Sequence, residues 1–350
     1  MTARRVLVTG GAGFIGGHIV ERLVEAGHDV VVADVIHPAA HREPPSDLVA
    51  GADYRFGDLA DSDFARDVVA GVDSVCHQAS MVGLGVDYGD VRAYVHHNDF
   101  ATASLLEALH RRDFAGRVVL ASSMVVYGEG DYRCSDHGDV RPLPRDARAL
   151  DAGQFEPACP SCGQPVAWQP VREDAPTDPR SIYAATKLHQ EHLVASYARE
   201  HQGASAIALR YHNVYGPRMP RDTPYAGVAS IFRSALERDE APRVYEDGGQ
   251  TRDFVHVDDI ARANLLALDF EAPITAAFNI ASGAPHTVLE LAQALTRSLG
   301  GAEPIVVGGW RPGDVRHVVA SPQRARDVLG FGAEVDFADG IAQFATAPLR

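Results

Sequence analysis

The stretch that most constrains this chain is Gly10-Gly11-Ala12-Gly13-Phe14-Ile15-Gly16, set between a β-rich run at 6–9 and a segment with helical periodicity at 18–24. A strand that turns through glycines into a helix can bring bare backbone up to a ligand. The helix N-terminus then offers free N–H groups and the positive end of its dipole, which suits a pyrophosphate. Gly10 and Gly13 leave that approach unobstructed, and Gly16 lets the helix pack closely on the strand. After Gly27, residues 29–34 read as a second strand, apolar almost throughout, as a strand covered on both faces must be. Asp34 closes that strand. A carboxylate there accepts hydrogen bonds from ribose hydroxyls and repels a 2'-phosphate, which favours NAD over NADP.

The alternation continues through a strand at 73–77, a helix at 101–112 and a strand at 117–121, so a Rossmann-type doubly wound parallel sheet of the α/β class is the expected fold. The chain has 350 residues, 46% apolar and 23% charged, enough for two lobes around real cores. A formal charge of -15 repels polyanions and argues against a nucleic-acid partner. The apolar run at the N-terminus is too short for a signal peptide, and no stretch is long enough to span a bilayer. A cytoplasmic protein without a membrane partner is expected. Disulfides are rare in that compartment, so the four cysteines need another explanation if they are functional.

Three motifs taken jointly, Gly10-x-x-Gly13-x-x-Gly16, Ser122-Ser123-Met124-Val125-Val126-Tyr127-Gly128 and Tyr183-Ala184-Ala185-Thr186-Lys187, resemble the extended short-chain dehydrogenase/reductase family of sugar-nucleotide epimerases and dehydratases. The resemblance covers nearly the whole chain outside an insertion. It implies a tightly held NAD lying along Gly10, Gly13, Phe14, Ile15, Gly16, Asp34, Asp58, Leu59, Ala79, Ser80, Asn98, Tyr183 and Lys187, and a homodimer formed through the helices at 101–112 and 181–200. Tyr183 and Lys187 stand i, i+4, so on a helix they share a face. The ammonium is expected to lower the phenol pKa and make Tyr183 a general base, with Ser123 rather than Ser122 hydrogen-bonding the oxygen that becomes a ketone.

Met124 and Val125 stand where the family's dehydratases resemble a Thr-Asp-Glu sequence, and neither side chain can transfer a proton. Elimination and decarboxylation are thereby disfavoured, leaving oxidation at C4, rotation of the keto sugar and return of hydride to its other face. Asn213, Arg252, Arg311 and Asp314 match the family's nucleotide-sugar site, where guanidinium groups grip phosphate.

Residues 128–178 break the pattern. Cys134-x-x-His137 and Cys159-x-x-Cys162, with 21 residues between the pairs, suit a closed tetrahedral zinc that would stabilise a segment poor in apolar residues. This insertion, with Thr223-Pro224-Tyr225-Ala226-Gly227 and Glu246-Asp247-Gly248-Gly249-Gln250, resembles a bacterial subgroup of dTDP-L-rhamnose 4-epimerases, which implies interconversion with dTDP-6-deoxy-L-talose. UDP-glucose or UDP-glucuronate 4-epimerases are the alternative, followed by a sugar-nucleotide reductase and a non-catalytic NAD-binding protein. The expected units are an NAD-binding domain at 1–133 and 173–215 with about 250–272, the Cys/His insertion at 134–172, and a smaller α/β nucleotide-sugar lobe at 216–249 and 273–350.

Overall fold

A computed structural model describes residues 3–38, 43, 45–83, 88–221 and 227–350. From the N-terminus the chain makes β1 (Arg5–Thr9), α1 (Phe14–Glu25), β2 (Asp29–Asp34), β3 (Asp53–Phe56), α2 (Ser62–Val68) and β4 (Ser74–His77). Next, α3 (Val91–Tyr94) runs through a π-helical stretch, Val95–Phe100, into α4 (Ala101–His110), and β5 (Arg117–Ser123) follows. The insertion contains β6 (Asp131–Cys134), β7 (Gly138–Val140), α5 (Ala147–Asp151) and β8 (Ala167–Gln169). Beyond it come α6 (Ile182–Glu200), β9 (Ser205–Tyr211), β10 (Asn213–Tyr215), α7 (Val228–Glu237), β11 (Arg243–Val244), β12 (Thr251–His256), α8 (Val257–Asp269) and β13 (Thr275–Ile280). The chain continues with β14 (Pro285–Thr287), α9 (Val288–Leu299), β15 (Ile305–Val306), β16 (His317–Val318) and α10 (Phe337–Thr346).

Seven strands in the order β13-β9-β5-β4-β1-β2-β3 form a parallel sheet. Val30 to Ala33 of β2 are buried on both faces, which explains the unbroken apolar run in the sequence. One core packs α1 and α8 on the sheet through Ile19, Leu23, Val32, Ile207, Ile260 and Phe278. The other packs α2, α4 and α6 through Val31, Leu105, Leu109, Val118, Val194 and Tyr197. At roughly 1.5–3 kcal/mol for each fully buried large side chain, these two layers hold the sheet and fix where its strand ends point. The order reverses between β1 and β4, so their C-terminal ends open a crevice where ligands bind in such sheets.

The expected boundary at 273 falls too early. β13 is the edge strand of the large sheet, beside β9, and Ala325, Leu329 and Phe331 join the core under it. The short strand and its turns carried too little periodicity to separate them from the lobe. The lobe itself is built on Phe232, Leu236, Phe254, Leu291, Leu295, Ile341 and Phe344. Its helix α9 starts at a capping box of Thr287 and Glu290 and stops at Gly300 in the left-handed region. The insertion is more ordered than its sequence suggested: β6 pairs antiparallel with both β7 and β8. Strands of three or four residues are too short to show a period of two. Its core is small, as expected, comprising Tyr132, Cys134, Cys159 and Val166. No helix among the described residues is long and apolar enough to cross a membrane.

His77, at the end of β4, ties the layers together. Its Nδ1 lies 2.7 Å from Thr9 Oγ1 of β1 and its Nε2 lies 2.8 Å from Thr102 Oγ1 of α4. Burial, reinforced by the charge of Lys187, pushes its pKa down to about 3. Because the unfolded chain protonates first, this depressed value stabilises the fold above about pH 6.5, and the contribution is lost as pH falls toward 3. Between pH 7.5 and 5.5 the loss from His77 is on the order of 1 kcal/mol. Urea unfolding at both pH values should show this slope reduced in His77→Gln; an equal slope in the two proteins would remove His77 as its source.

Candidate active site

The glycine turn opens at the crevice. Gly10 sits at φ +69°, and a Cβ on it would lie 2.7 Å from the backbone nitrogen of Ala79 on the neighbouring loop. A Cβ on Gly16 would lie 2.1 Å from the Gly10 carbonyl oxygen, so only glycine lets α1 approach the turn this closely. A Cβ on Gly13 would meet only the Gly10 oxygen at 3.2 Å, which leaves that position open toward the crevice. No side chain caps α1. Its first N–H groups, including those of Phe14 and Ile15, are therefore available to an anion, while the Phe14 and Ile15 side chains pack into the two lobes' cores. Asp34 Oδ2 accepts from Ala12 N at 3.0 Å and Oδ1 from Ile36 N at 2.9 Å, which holds its carboxylate at the end of β2. A dinucleotide fits this cradle: bare backbone, free donors and a fixed carboxylate at the end of the neighbouring strand.

The neighbouring positions divide. Leu59 is buried, and Ala79 donates to Thr9 Oγ1 at 3.1 Å, backing the glycine turn. Asp58 accepts from Ala60 N at 2.9 Å and has His96 Nε2 3.1 Å away. Partial burial raises its pKa, but the Ala60 and His96 contacts outweigh that and leave the carboxyl below its ordinary value. Asn98, expected to face the cofactor, is wholly buried and committed to protein. Its Oδ1 accepts from Met81 N and Ser80 Oγ, and its Nδ2 donates to Met81 O and Thr186 Oγ1. It joins the loop after β4 to α6. The sequence reading overlooked His96 and His97, which crowd Asp58; the His97 ring meets His37 edge-on with centroids 4.8 Å apart. A tandem histidine pair next to Asn98 was the available signal.

Strand alternation decides between the two serines. Ser122 points into the protein and donates to Glu191, whose two oxygens also receive Arg210 Nε and Nη2 at 2.9 and 2.7 Å. Ser123 therefore faces the opposite side, the side of Tyr183, where it lowers the phenol's pKa against the effect of burial. Ser181 caps α6 through Ala184 N at 3.1 Å, and that start places Tyr183, Lys187 and Glu191 one above another on one face. Lys187 Nζ donates to the Ala121 carbonyl at 2.8 Å and lies 5.9 Å from the Tyr183 ring centroid.

The electrostatics differ from the expectation that the lysine lowers the phenol. Burial pushes the Tyr183 hydroxyl up to about 12, with the Ser123 hydrogen bond pulling the other way. Burial also pushes Lys187 down to about 7, against the attraction of Asp99 and Glu191. Desolvation acts on both members of the pair and exceeds their mutual effect.

On the lobe side, β10 pairs in parallel with β12, Asn213 opposite Phe254, which brings Asn213 near Arg252. The Asn213 Oδ1, just beyond the C-terminal end of β9, is buried without a hydrogen-bond partner, an orphan acceptor. Arg252 was expected to grip phosphate, but its terminal nitrogens donate to the carbonyls of Thr251, Val315 and Arg316 and approach Asp314 Oδ1 at 3.4 Å. It organises the segment after the exposed Arg311, whose guanidinium lies 4.6 Å from the Tyr245 ring centroid. Pairing of β12 with β16 places these carbonyls beside it, which sequence spacing could not reveal. Thr223 to Ala226 lie outside the described residues.

In the insertion Cys134 Sγ lies 3.6 Å from His137 Nδ1 and 3.7 Å from Cys162 Sγ, and Cys159 Sγ lies 3.7 Å from His137 Nδ1. Cys76 is separate and buried in the main core.

A glycine cradle at the switch point of a parallel sheet, beside a Ser/Tyr/Lys constellation, defines the short-chain dehydrogenase/reductase class. The family model described as "NAD dependent epimerase/dehydratase family" matches residues 6–147 and 160–281, and the chain belongs to that family. It is 34% identical to the dTDP-L-rhamnose 4-epimerase of Burkholderia thailandensis over 98% of this chain and 94% of that protein. The UDP-glucose 4-epimerase of Thermotoga maritima, solved with UDP-glucose, superposes with a TM-score of 0.79 at 28% identity, covering 97% of each chain. The Thermus thermophilus UDP-glucose 4-epimerase, solved with NAD, gives a TM-score of 0.77 at 29% identity over 97% of each chain.

Gly16→Ala should displace α1 and weaken NAD binding by about tenfold or more. Gly17→Ala, whose new Cβ meets nothing closer than 3.7 Å, should not. Acid release and quantitation of the nucleotide carried through purification checks both; equal NAD content in the two variants would refute the close-packing argument.

Proposed function

We propose that this protein is a nucleotide-sugar 4-epimerase that retains NAD through each cycle. The observation that carries the reading is Ser123, Tyr183 and Lys187 held together at the crevice, with the side chains of Met124 and Val125 offering no second acid or base. Bound NAD supplies the acceptor and donor of hydride at C4. Tyr183 takes the proton of the 4-hydroxyl, Ser123 donates to the oxygen as it becomes a carbonyl, and Tyr183 returns the proton after the keto sugar has turned over. Lys187 stands 5.9 Å from the Tyr183 ring centroid, and in its protonated form its charge would oppose the burial that raises the phenol. Gly10, Gly13, Gly16 and Asp34 would hold the dinucleotide, and Asn213 and Arg311 the diphosphate of the substrate, with Asp314 contributing elsewhere on the substrate and Arg252 ordering the segment that carries it.

The substrate we favour is dTDP-L-rhamnose, interconverted with dTDP-6-deoxy-L-talose. The similarity to the Burkholderia enzyme along 98% of this chain supports it. The structural likeness to the Thermotoga enzyme supports UDP-glucose as the second reading, with UDP-glucuronate beside it. We also propose that Cys134, His137, Cys159 and Cys162 hold a zinc ion. Three of their six separations, 3.6, 3.7 and 3.7 Å, match the edge of roughly 3.6–3.8 Å that follows from Zn–S of about 2.3 Å and Zn–N of about 2.0–2.1 Å in a tetrahedron, and all six lie within 4.8 Å. Four protein ligands would close the coordination sphere, which makes the ion structural. Pairing of two copies through α4 and α6 is proposed as well; Phe100, 54% exposed just before α4, suits a contact there.

An NMR time course with dTDP-L-rhamnose, UDP-glucose and UDP-glucuronate, no cofactor added, tests the reaction and the sugar together. One of them should yield its C4 epimer, and Tyr183→Phe should slow turnover by about 10²–10⁴-fold. Consumption of added NAD(P)H with a 4-keto sugar nucleotide, and no epimer from any substrate, would replace the epimerase with a reductase.

A further inference from the structure

We propose that the Cys/His cluster is a clasp for the substrate site: metal held there positions the segment 314–317 and thereby sets affinity for the nucleoside diphosphate. This rests on the zinc and nucleotide-sugar readings above and adds a coupling between them. Two separate pieces of chain meet at the cluster, the β6–β7 hairpin with Cys134 and His137 and the turn with Cys159 and Cys162. Each carries its own anchor to the same short segment of the lobe.

From the hairpin side, Glu129 Oε2 accepts from Arg316 N at 3.0 Å, and the buried Tyr132 hydroxyl accepts from His317 N at 3.2 Å. On the turn side, Glu156, three residues before Cys159, accepts from Arg316 Nε and Nη2 at 2.7 and 2.6 Å, and its other oxygen lies 3.0 Å from His317 Nε2. Arg252 grips the far side of this segment through the Val315 and Arg316 carbonyls, at 2.7 and 2.8 Å. The segment is thus held between the clasp and the residue that shapes the diphosphate end.

The backbone pairing of β6 with β8 stops at Arg133 and Ala167, short of the cluster, so at the cluster itself the two pieces are held by side chains. Their shared core is Tyr132, Cys134, Cys159 and Val166, so two of its four members are themselves ligands of the cluster. A metal bond between hairpin and turn would hold Glu129 and Tyr132 in fixed relation to Glu156; without it the anchors could part and Arg316 would lose one side of its cage. The hydride chemistry would be untouched, because Ser123, Tyr183 and Lys187 stand on β5 and α6 in the other lobe.

The test measures three quantities on the intact, NAD-loaded protein: zinc per chain by mass spectrometry of the metal, UDP and dTDP affinity by calorimetry, and bound NAD by absorbance. Cys162→Ala should lose zinc and weaken nucleoside diphosphate binding by about ten- to a hundredfold with NAD content unchanged, while His137→Cys should keep both metal and affinity. Glu156→Gln should keep zinc yet weaken UDP and dTDP binding, and it decides the matter if Cys162→Ala does not fold. Zinc loss with unchanged affinity, together with an unaffected Glu156→Gln, would overturn the coupling and leave the metal reading standing. Wild-type protein that neither carries nor takes up zinc would overturn both. If wild type binds neither UDP nor dTDP, the nucleotide-sugar reading falls, and the clasp with it.

Discussion

The whole arrangement depends on one steric fact: α1 lies so close to the end of β1 that a single methyl at Gly16 would sit 2.1 Å from the Gly10 carbonyl oxygen. That closeness aims the uncapped N-terminus of α1 at the crevice between β1 and β4, where the sheet order reverses. Ala79 presses on the same turn from the other side, and Asp34 pins Ala12 from β2. Three strands therefore converge on one cradle, and its rigidity comes from backbone contact rather than from long side chains.

Beneath the catalytic face runs a buried polar framework that keeps α6 in place. Glu191 receives both Arg210 and Ser122, Arg210 reaches the Tyr127 hydroxyl at 2.8 Å, and that hydroxyl donates to Asn279 Oδ1 at 2.8 Å. One turn earlier Lys187 is fastened to the Ala121 carbonyl, and Gln190 donates to the Asn98 carbonyl and to Thr102. Such a network is costly to break because each partner left behind would be a buried unpaired group. Its value here is positional: it leaves Ser123 and Tyr183 no freedom to drift apart, and the burial it needs is the same burial that shifts the Tyr183 and Lys187 protons in opposite directions.

Much of this was legible in the residues because it depends on local rules. The strand, glycine turn and helix, the carboxylate at Asp34, the i, i+4 pair of Tyr183 and Lys187, and the Cys-x-x-His and Cys-x-x-Cys pairs are all set by spacings of a few positions. What the residues could not show were partners brought together only by folding. Asn98 and Arg252 look like ligand-binding residues in sequence, yet folding brings Met81 and Thr186 to one and the segment 314–316 to the other. The strand at β13 was placed in the wrong lobe for the same reason: its pairing with β9 is invisible until the sheet is assembled.

By itself, then, the sequence determined the fold class, the glycine cradle and the pairing of Tyr183 with Lys187 on one helix face, because periodicity, glycine sterics and helical spacing act over a turn or two. Only the tertiary structure decided which serine faces the crevice, where burial moves the protons, which polar groups remain open to a ligand, and how the insertion grips the lobe. Those properties are set by desolvation and by hydrogen bonds between residues well separated in the chain, and they exist only once the layers have packed.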